Sequence, residues 1–454
     1  MAQLDVLLNM VEKSQDEIVH LHQELVRIPT VNTGRMPTGN ETDVCRLLEQ
    51  RFAAEGVEHE TIESAPGRGN FIARLVGSSS PRLLYMSHTD VVPVEEESSW
   101  THPPFSAQIV EGKIFGRGSD DAAKSLVTSG TMALFILKRA RVKLHGALTF
   151  LAEADEEAGG RYGVGWLAEK VPHKIQADFA INEGGGTPLQ TSKGLAYLFS
   201  VGEKGRLEAR IAVRGRSSHA ARPWFGDNAI VKMSEIVRRV HNFQPELNTS
   251  LEIFDHLVRL FDLHEPISSQ NVDRIADELS RKDRSLGSVI RSLSRMTVSP
   301  TVISGGAKSN SIPEVCTLTC DIRTLPHQDE HYVEQQLERV TAGIDGVNTE
   351  LEYTAVSGAS PTNTEFVRHI QRATEIALGR NHIMWIPSIT NGFTDSRFVR
   401  PLGTQVYGIA PITTESNPMR EGVHGINEAM EIENLVLRTK MQVVLACLVL
   451  GANH

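Results

Sequence analysis

Apolar residues at Leu4, Leu7, Leu8, Val11, Ile18, Leu21 and Leu25 recur at helical spacing and predict a helical segment that ends before Pro29. A second helix is expected over Glu41–Glu55, closed by Gly56. Short apolar runs then alternate with helical patterns. Phe71–Val76 and Arg82–Met86 read as strands, Ser125–Arg139 as a helix and Ala147–Ala152 as a strand. Tyr162–Glu169 reads as a helix and Ala177–Asn182 as another strand. This alternation predicts an α/β sheet that is at least partly parallel, where ligands gather outside the carboxyl ends of the strands.

After Gly194 the period changes. Leu207, Ala209, Ile211 and Val213 alternate along Arg206–Arg214, as in a sheet with one buried face. A helix follows, with Ala229, Ile230, Met233, Ile236, Val237 and Val240 on one face. Thr297–Ser304 and Val315–Arg323 read as strands, His331–Ala342 as a helix and Thr349–Val356 as a strand. The order β-α-β-β-α-β is that of a small ferredoxin-like α+β domain. A helical insert at about 243–296 separates its first helix from its second strand. From Gly358 the α/β texture resumes and ends in an amphipathic helix over Ile432–Leu450. The expected organisation is one domain, 1–194 with 358–454, interrupted by another at 195–357.

Charge narrows the function classes. The 454 residues carry 46 Lys and Arg against 56 Asp and Glu, a formal charge of −10. A nucleic acid or an anionic membrane surface needs a basic footprint, so neither is expected as the main partner. Cys45, Cys316, Cys320 and Cys447 are too few and too scattered for a disulfide framework. Cys316 and Cys320 could suggest half a metal site, but no matching pair exists, and two buried thiols is the better reading. No run approaches the roughly 20 apolar residues of a membrane span, and the early acids do not suit a signal peptide. The expectation is a soluble cytoplasmic protein.

Polar residues of metal-ligand type cluster where predicted strands end. His88-Thr-Asp90 follows the strand RLLYM, and the i, i+2 spacing lets Asp90 orient the His88 ring. Gly116-Arg-Gly-Ser-Asp120-Asp121 precedes a helix, where a Gly turn with an Asp cap is the ordinary explanation. Asp155-Glu156-Glu157 follows ALTFLA, and three successive acids call for a compensating positive charge. Glu183-Gly-Gly-Gly186 follows another apolar strand; its glycines lack the Lys-Ser or Lys-Thr of a phosphate loop. His424-Gly-Ile-Asn-Glu428 precedes the last helix. Each has a bland structural reading alone. Together, two His and several carboxylates are what a two-metal hydrolytic site needs, with one carboxylate left off the metal as a base. The adjacent Glu156 and Glu157 can divide those two jobs.

On these ordered motifs, nearly the whole chain resembles the M20 metallopeptidase family of aminoacylases, deacetylases, desuccinylases and carboxypeptidases. The resemblance implies a di-zinc aminopeptidase-like α/β catalytic domain with an inserted ferredoxin-like lid and dimerisation domain. It implies two Zn2+ per chain, with Co2+ or Mn2+ able to substitute. By the same resemblance His88 and Glu183 hold one zinc, Glu157 and His424 the other, and Asp121 bridges. Asp90 orients His88, and Glu156 is the general base. Counting from Gly116 selects Asp121 over Asp120 as the bridge, although Lys124 stands one position later than the family pattern has it.

In the lid, the segment around His219 resembles the one whose His reaches a neighbouring subunit's site and stabilises the oxyanion. Asn310 and Arg323 resemble residues that hold the substrate's carboxylate and backbone, with a salt bridge to Asp321 as the ordinary alternative for Arg323. Asn391-Gly392-Phe393-Thr-Asp395-Ser-Arg397 resembles a late substrate loop in which a second Gly is common where Phe393 stands. The implied activity is release of an amino acid from an N-acyl amino acid or a short peptide bearing a free carboxylate, by a homodimer. Acetylornithine deacetylase-type or succinyl-diaminopimelate desuccinylase-type deacylation is the alternative. A non-catalytic binding protein on the same fold is a further alternative, against which the complete set of five metal positions and the Glu base weighs; a nucleotide enzyme using Gly184–Gly186 lacks the accompanying Lys.

Overall fold

The computed structural model describes the chain apart from Met1, Ser78, Ser79, Ala122, Asn391, residues 417–421 and His454. Asn391 of the late loop therefore lies outside the described residues. The chain forms two compact units: residues 1–201 with 360–388 and 394–454, and residues 202–359 with 389–393.

At the centre of the first unit are four parallel strands in the spatial order Ala147–Glu153, Arg82–His88, Phe179–Asn182 and Gln405–Gly408. Antiparallel strands Gly69–Leu75 and Glu58–Glu63 extend one side. Leu83, Leu84, Tyr85 and Met86 are buried in succession because both faces of the sheet are covered. Leu84 and Met86 pack with Val164, Leu167 and Val406. Tyr85 points the other way, and its hydroxyl donates to the Gln442 carbonyl at 2.6 Å in the helix Ile432–Leu450. That helix is not amphipathic as expected: it is buried on most sides and along most of its length, with Asn434, Arg438 and Gln442 buried among its apolar residues.

The first helical pattern is split. Helices Ala2–Lys13 and Gln15–Val26 meet at Ser14, whose backbone (φ −94°, ψ 11°) leaves the helical well. Serine interrupts readily because its hydroxyl competes for backbone partners. The strand Glu58–Glu63 (EHETIE) carries almost no apolar signal, being a half-exposed edge.

The second unit has an antiparallel sheet in the order Thr297–Gly305, Val315–Thr324, Gly205–Arg214, Val347–Ala355. With helices Ala229–His241 and Glu330–Thr341 this is the ferredoxin-like arrangement. Leu207, Ile211, Met233, Ile236, Leu318 and Leu337 belong to its core. Asn228 and Asp329 cap the two helices by accepting the Ile230 and Tyr332 N–H groups. The insert consists of helices Ile253–Leu260, Val272–Lys282 and Arg284–Leu293. Phe254, Leu257, Ile275, Leu279 and Ile290 of the insert are buried, while Val289 is exposed. The outer strand Thr297–Gly305 leaves Val302 60% and Ile303 58% exposed. All four cysteines are buried and free. Among the described residues no helix is long and apolar enough to cross a membrane.

Candidate metal centre

Three of the parallel strands end in the residues singled out above. His88 closes Arg82–His88, Glu156 and Glu157 follow Ala147–Glu153, and Glu183 follows Phe179–Asn182. Ligand atoms of His88, Asp121 and Glu157 lie within 4.8 Å of one another, as do those of His88, Glu156 and Glu183. His424 joins from the far end of the chain: its Nε2 is 2.9 Å from Asp121 Oδ2 and 3.3 Å from Glu157 Oε1. Asp121 thus points into the cluster, whereas Asp120 turns to Arg438 at 3.4 Å.

The loop that presents the acids needs an unusual backbone. Asp155 adopts φ 72°, and Gly160 follows at φ 69° with Asp395 so close that a Cβ would lie 2.6 Å from its Oδ1. Asp90 holds this loop in place. Its carboxylate accepts the N–H groups of Glu156 (3.1 Å) and Glu157 (3.2 Å) and the Asn32 amide (2.8 Å). His88 Nδ1 lies 3.0 Å from the Asp90 carbonyl and 3.4 Å from Asp90 Oδ1, so Nε2 faces Glu183 at 3.8 Å. Below, Asn32 also donates to Asp155 at 3.0 Å, and the fully buried Arg68 pairs with Asp155 (2.9 Å) and Glu41 (2.7 Å). Asn32, Arg68 and Glu41 belong to no local motif; only their positions in the fold reveal them.

Apart from the half-exposed His424 the cluster is largely buried, and its four carboxylates outnumber its two imidazoles. Burial, then the charge of Glu183, pushes the Glu156 carboxyl well above the usual carboxylate range. Burial raises Glu157 to about 7 despite its contact with His424. Glu157 Oε1 is buried, with His424 Nε2 3.3 Å away. Imidazole nitrogens and carboxylate oxygens in this number are donors that zinc takes, and a divalent ion would supply the missing charge. The residues fit a metal pair. Gly184–Gly186 serve a different purpose: a Cβ on Gly185 would meet the Gly408 carbonyl at 2.6 Å, so this run allows close backbone packing.

The remaining expected residues belong to the second unit. His219 and Asn310 are brought together by a short ribbon in which Ser218–His219 pairs with Ser311–Ile312 and the Ala220 N–H donates to the Asn310 carbonyl (3.0 Å). His219 is exposed, and its Nδ1 accepts the Ala221 N–H at 3.1 Å, which assigns the proton to Nε2. Arg323 grips Asp321 through Nε (2.7 Å) and Nη2 (3.3 Å). Gly392 is exposed, with open space where a side chain would be.

The profile of Peptidase family M20/M25/M40 matches residues 84–447, which include every residue of the cluster. The chain belongs to this family. It is 27% identical over 341 residues, 75% of each chain, to a probable succinyl-diaminopimelate desuccinylase of Staphylococcus aureus. It is 26% identical to an N-fatty-acyl-amino acid synthase/hydrolase of Xenopus tropicalis over 97% of this chain and 87% of that one. An M20 family metallo-carboxypeptidase from Sulfolobus solfataricus has the same fold, with a TM-score of 0.73 at 20% identity over 95% of this chain and 99% of that one. The protein is thus an M20 family metallohydrolase acting on amide bonds, with a mixed central sheet and a separate antiparallel sheet.

Proposed function

We propose that this M20 hydrolase releases an amino acid from an N-acyl amino acid or a short peptide that bears a free carboxylate. The observation that carries the reading is the convergence of His88, Asp121, Glu157, Glu183 and His424 on one cluster containing Glu156. In this reading His88 and Glu183 would hold one zinc ion and Glu157 and His424 the other, with Asp121 serving both. The bound ions supply Lewis-acid polarisation of the amide carbonyl and an acidified water.

Glu156 takes a proton from the attacking water and delivers it to the leaving nitrogen. Its place beside Glu157 and within reach of His88 and Glu183 puts it next to the ions while leaving it free to accept and return a proton. Asp90 keeps the His88 ring and the acid loop in register. His219 offers its Nε2–H to the oxyanion of a neighbouring subunit. Asn310, Gly392 and Arg323, the last with its guanidinium set by Asp321, hold the substrate's backbone and carboxylate. The homodimer this requires would form through the second unit, whose outer strand presents an open edge with exposed Val302 and Ile303. Desuccinylase-type or acetylornithine deacetylase-type deacylation is the second reading, favoured by the name of the staphylococcal relative.

The test is a panel of acetyl-, succinyl- and long-chain acyl-amino acids and dipeptides, assayed with the zinc-loaded protein and with Glu156→Gln. The variant should bind two ions per chain and lose about 10²–10⁴-fold in kcat. Retained turnover would remove Glu156 as the base, and a wild-type chain inactive on the whole panel would remove the substrate class.

A further inference from the structure

Arg117 and Glu428 stand inside the two motifs that carry Asp121 and His424, yet the reading above gives neither a role. Both are buried, at 3% and 0% exposure. One Glu428 oxygen, Oε1, accepts the backbone N–H groups of Asp120 and Asp121, each at 2.9 Å. The other, Oε2, accepts Arg117 Nη1 at 2.9 Å, and Arg117 Nη2 donates to the His424 carbonyl at 3.2 Å. The guanidinium also lies over the Trp100 ring, 5.2 Å from its centroid. The main chain ties the same two loops together. Gly116 N–H donates to the Glu428 carbonyl at 2.9 Å, and strand Lys113–Phe115 pairs with Ala429–Glu431.

A buried ion pair of this kind is a poor source of stability, because desolvating both groups consumes most of their attraction. A pair of well-packed apolar residues would fill the space equally well. What apolar residues cannot do is fix direction. The planar fork of Arg117 reaches Glu428 and the His424 backbone together, while Glu428 grips the peptide of Asp121. His88 and Glu183, by contrast, adjoin the central sheet directly and need no such tie.

We propose that the Arg117–Glu428 pair is the positioning element for the ion held by Asp121, Glu157 and His424, setting the gap between two ligand-bearing loops before that ion arrives. This rests on the two-metal reading. The pair touches no reacting atom; it acts through the ligands, as residues behind metal ligands do.

The test is titration of chelator-stripped protein with Co2+, followed by calorimetry and visible absorption, for wild type, Arg117→Met, Arg117→Lys and Glu428→Gln. His424→Ala marks which equivalent belongs to the second site. Wild type takes two equivalents. Arg117→Met and Glu428→Gln keep one near wild-type affinity and weaken the equivalent marked by His424→Ala about 10–100-fold. Arg117→Lys, which restores the charge without the fork, stays weak. A folded Arg117→Met or Glu428→Gln with both equivalents at wild-type affinity overturns the proposal, as does equal weakening of both. Loss of the folded state in both variants, read by circular dichroism, overturns it too, since the pair would then be a stability element. A wild-type protein that takes fewer than two ions removes the two-metal reading itself, and this inference with it.

Discussion

The Asp90 carboxylate serves Glu156 and His88 through the same oxygen: Oδ1 accepts the Glu156 N–H at 3.1 Å and lies 3.4 Å from His88 Nδ1. One side chain therefore sets both an imidazole ligand and the loop bearing the acids. In Asp90→Asn the amide must turn an N–H group toward a donor, either Asn32 or a backbone N–H. Metal affinity should fall about 10–100-fold, with kcat/KM falling in parallel. Competition for zinc with a chromophoric chelator measures the first and steady-state kinetics the second; unchanged affinity would free Asp90 of this role.

Arg68 is the only cation given an ion pair with either Glu41 or Asp155 among the described contacts, and all three are buried. Removing it in Arg68→Met strands two acids in a dry environment. The unfolding free energy should drop by about 3–5 kcal/mol. Adding Glu41→Gln should recover part of the loss, because one of the stranded charges disappears. Urea unfolding of the single and double variants decides this, and a double variant no better than the single would count against the pairing.

Lys204 gives a pH dependence to the second unit. Its Nζ donates to the carbonyls of Ser292 (2.6 Å) and Arg295 (3.0 Å). Burial, then the charges of Arg323 and Arg295, pushes its pKa down to about 7. In the unfolded chain lysine titrates near 10.4 (roughly), so between these values the unfolded state binds more protons. Stability from this group is fully present above the unfolded value and is lost as pH falls through about 7. The advantage of wild type over Lys204→Met should therefore grow from pH 7 to pH 10, by at most about 1.4 kcal/mol per pH unit, and level off below 7. Unfolding both proteins in urea across that range checks the slope; a difference independent of pH would show that Lys204 titrates normally.

Strand Thr297–Gly305 bears the proposed dimer contact. Replacing the 58% exposed Ile303 with Lys should leave the monomer folded. In a twofold interface the new charge appears twice, so association should weaken by about 2 kcal/mol or more. Sedimentation velocity over a range of concentrations reads the change. A protein that sediments as a monomer before substitution removes the dimer and the trans role of His219 together.

Much of this architecture can be read from the chain because its signals are local. The apolar run before His88 and the alternation along Gly205–Arg214 each follow from the faces they bury. Ile432–Leu450 was legible as a helix, but its burial on nearly every side was not, because that burial includes Asn434, Arg438 and Gln442, whose polarity suggests the solvent face of an amphipathic helix. The strand Glu58–Glu63 was not, because an edge strand with polar residues on both faces has no period to detect. In the cluster, ligand types at strand ends were legible as motifs. The residues that hold those ligands were not: Asn32 and Glu41 lie far upstream in chain positions that carry no pattern, and Arg68 sits in an ordinary turn. Arg117 and Glu428 were in view within their motifs, but only the paired loops reveal that one carboxylate grips the other motif's backbone.

His424 meets Asp121 across 303 positions of sequence, and the remaining proposed ligands come from three further segments. No early, locally formed piece of the chain holds more than a fragment of the ion's coordination. A metal bound at this cluster therefore could not template folding as zinc does in small zinc modules; the central sheet and the final helix must close before the full set of candidate donors exists. Uptake of the second ion should accordingly be the last event of refolding, which makes a metal-linked spectroscopic signal a clock for the completion of the first unit.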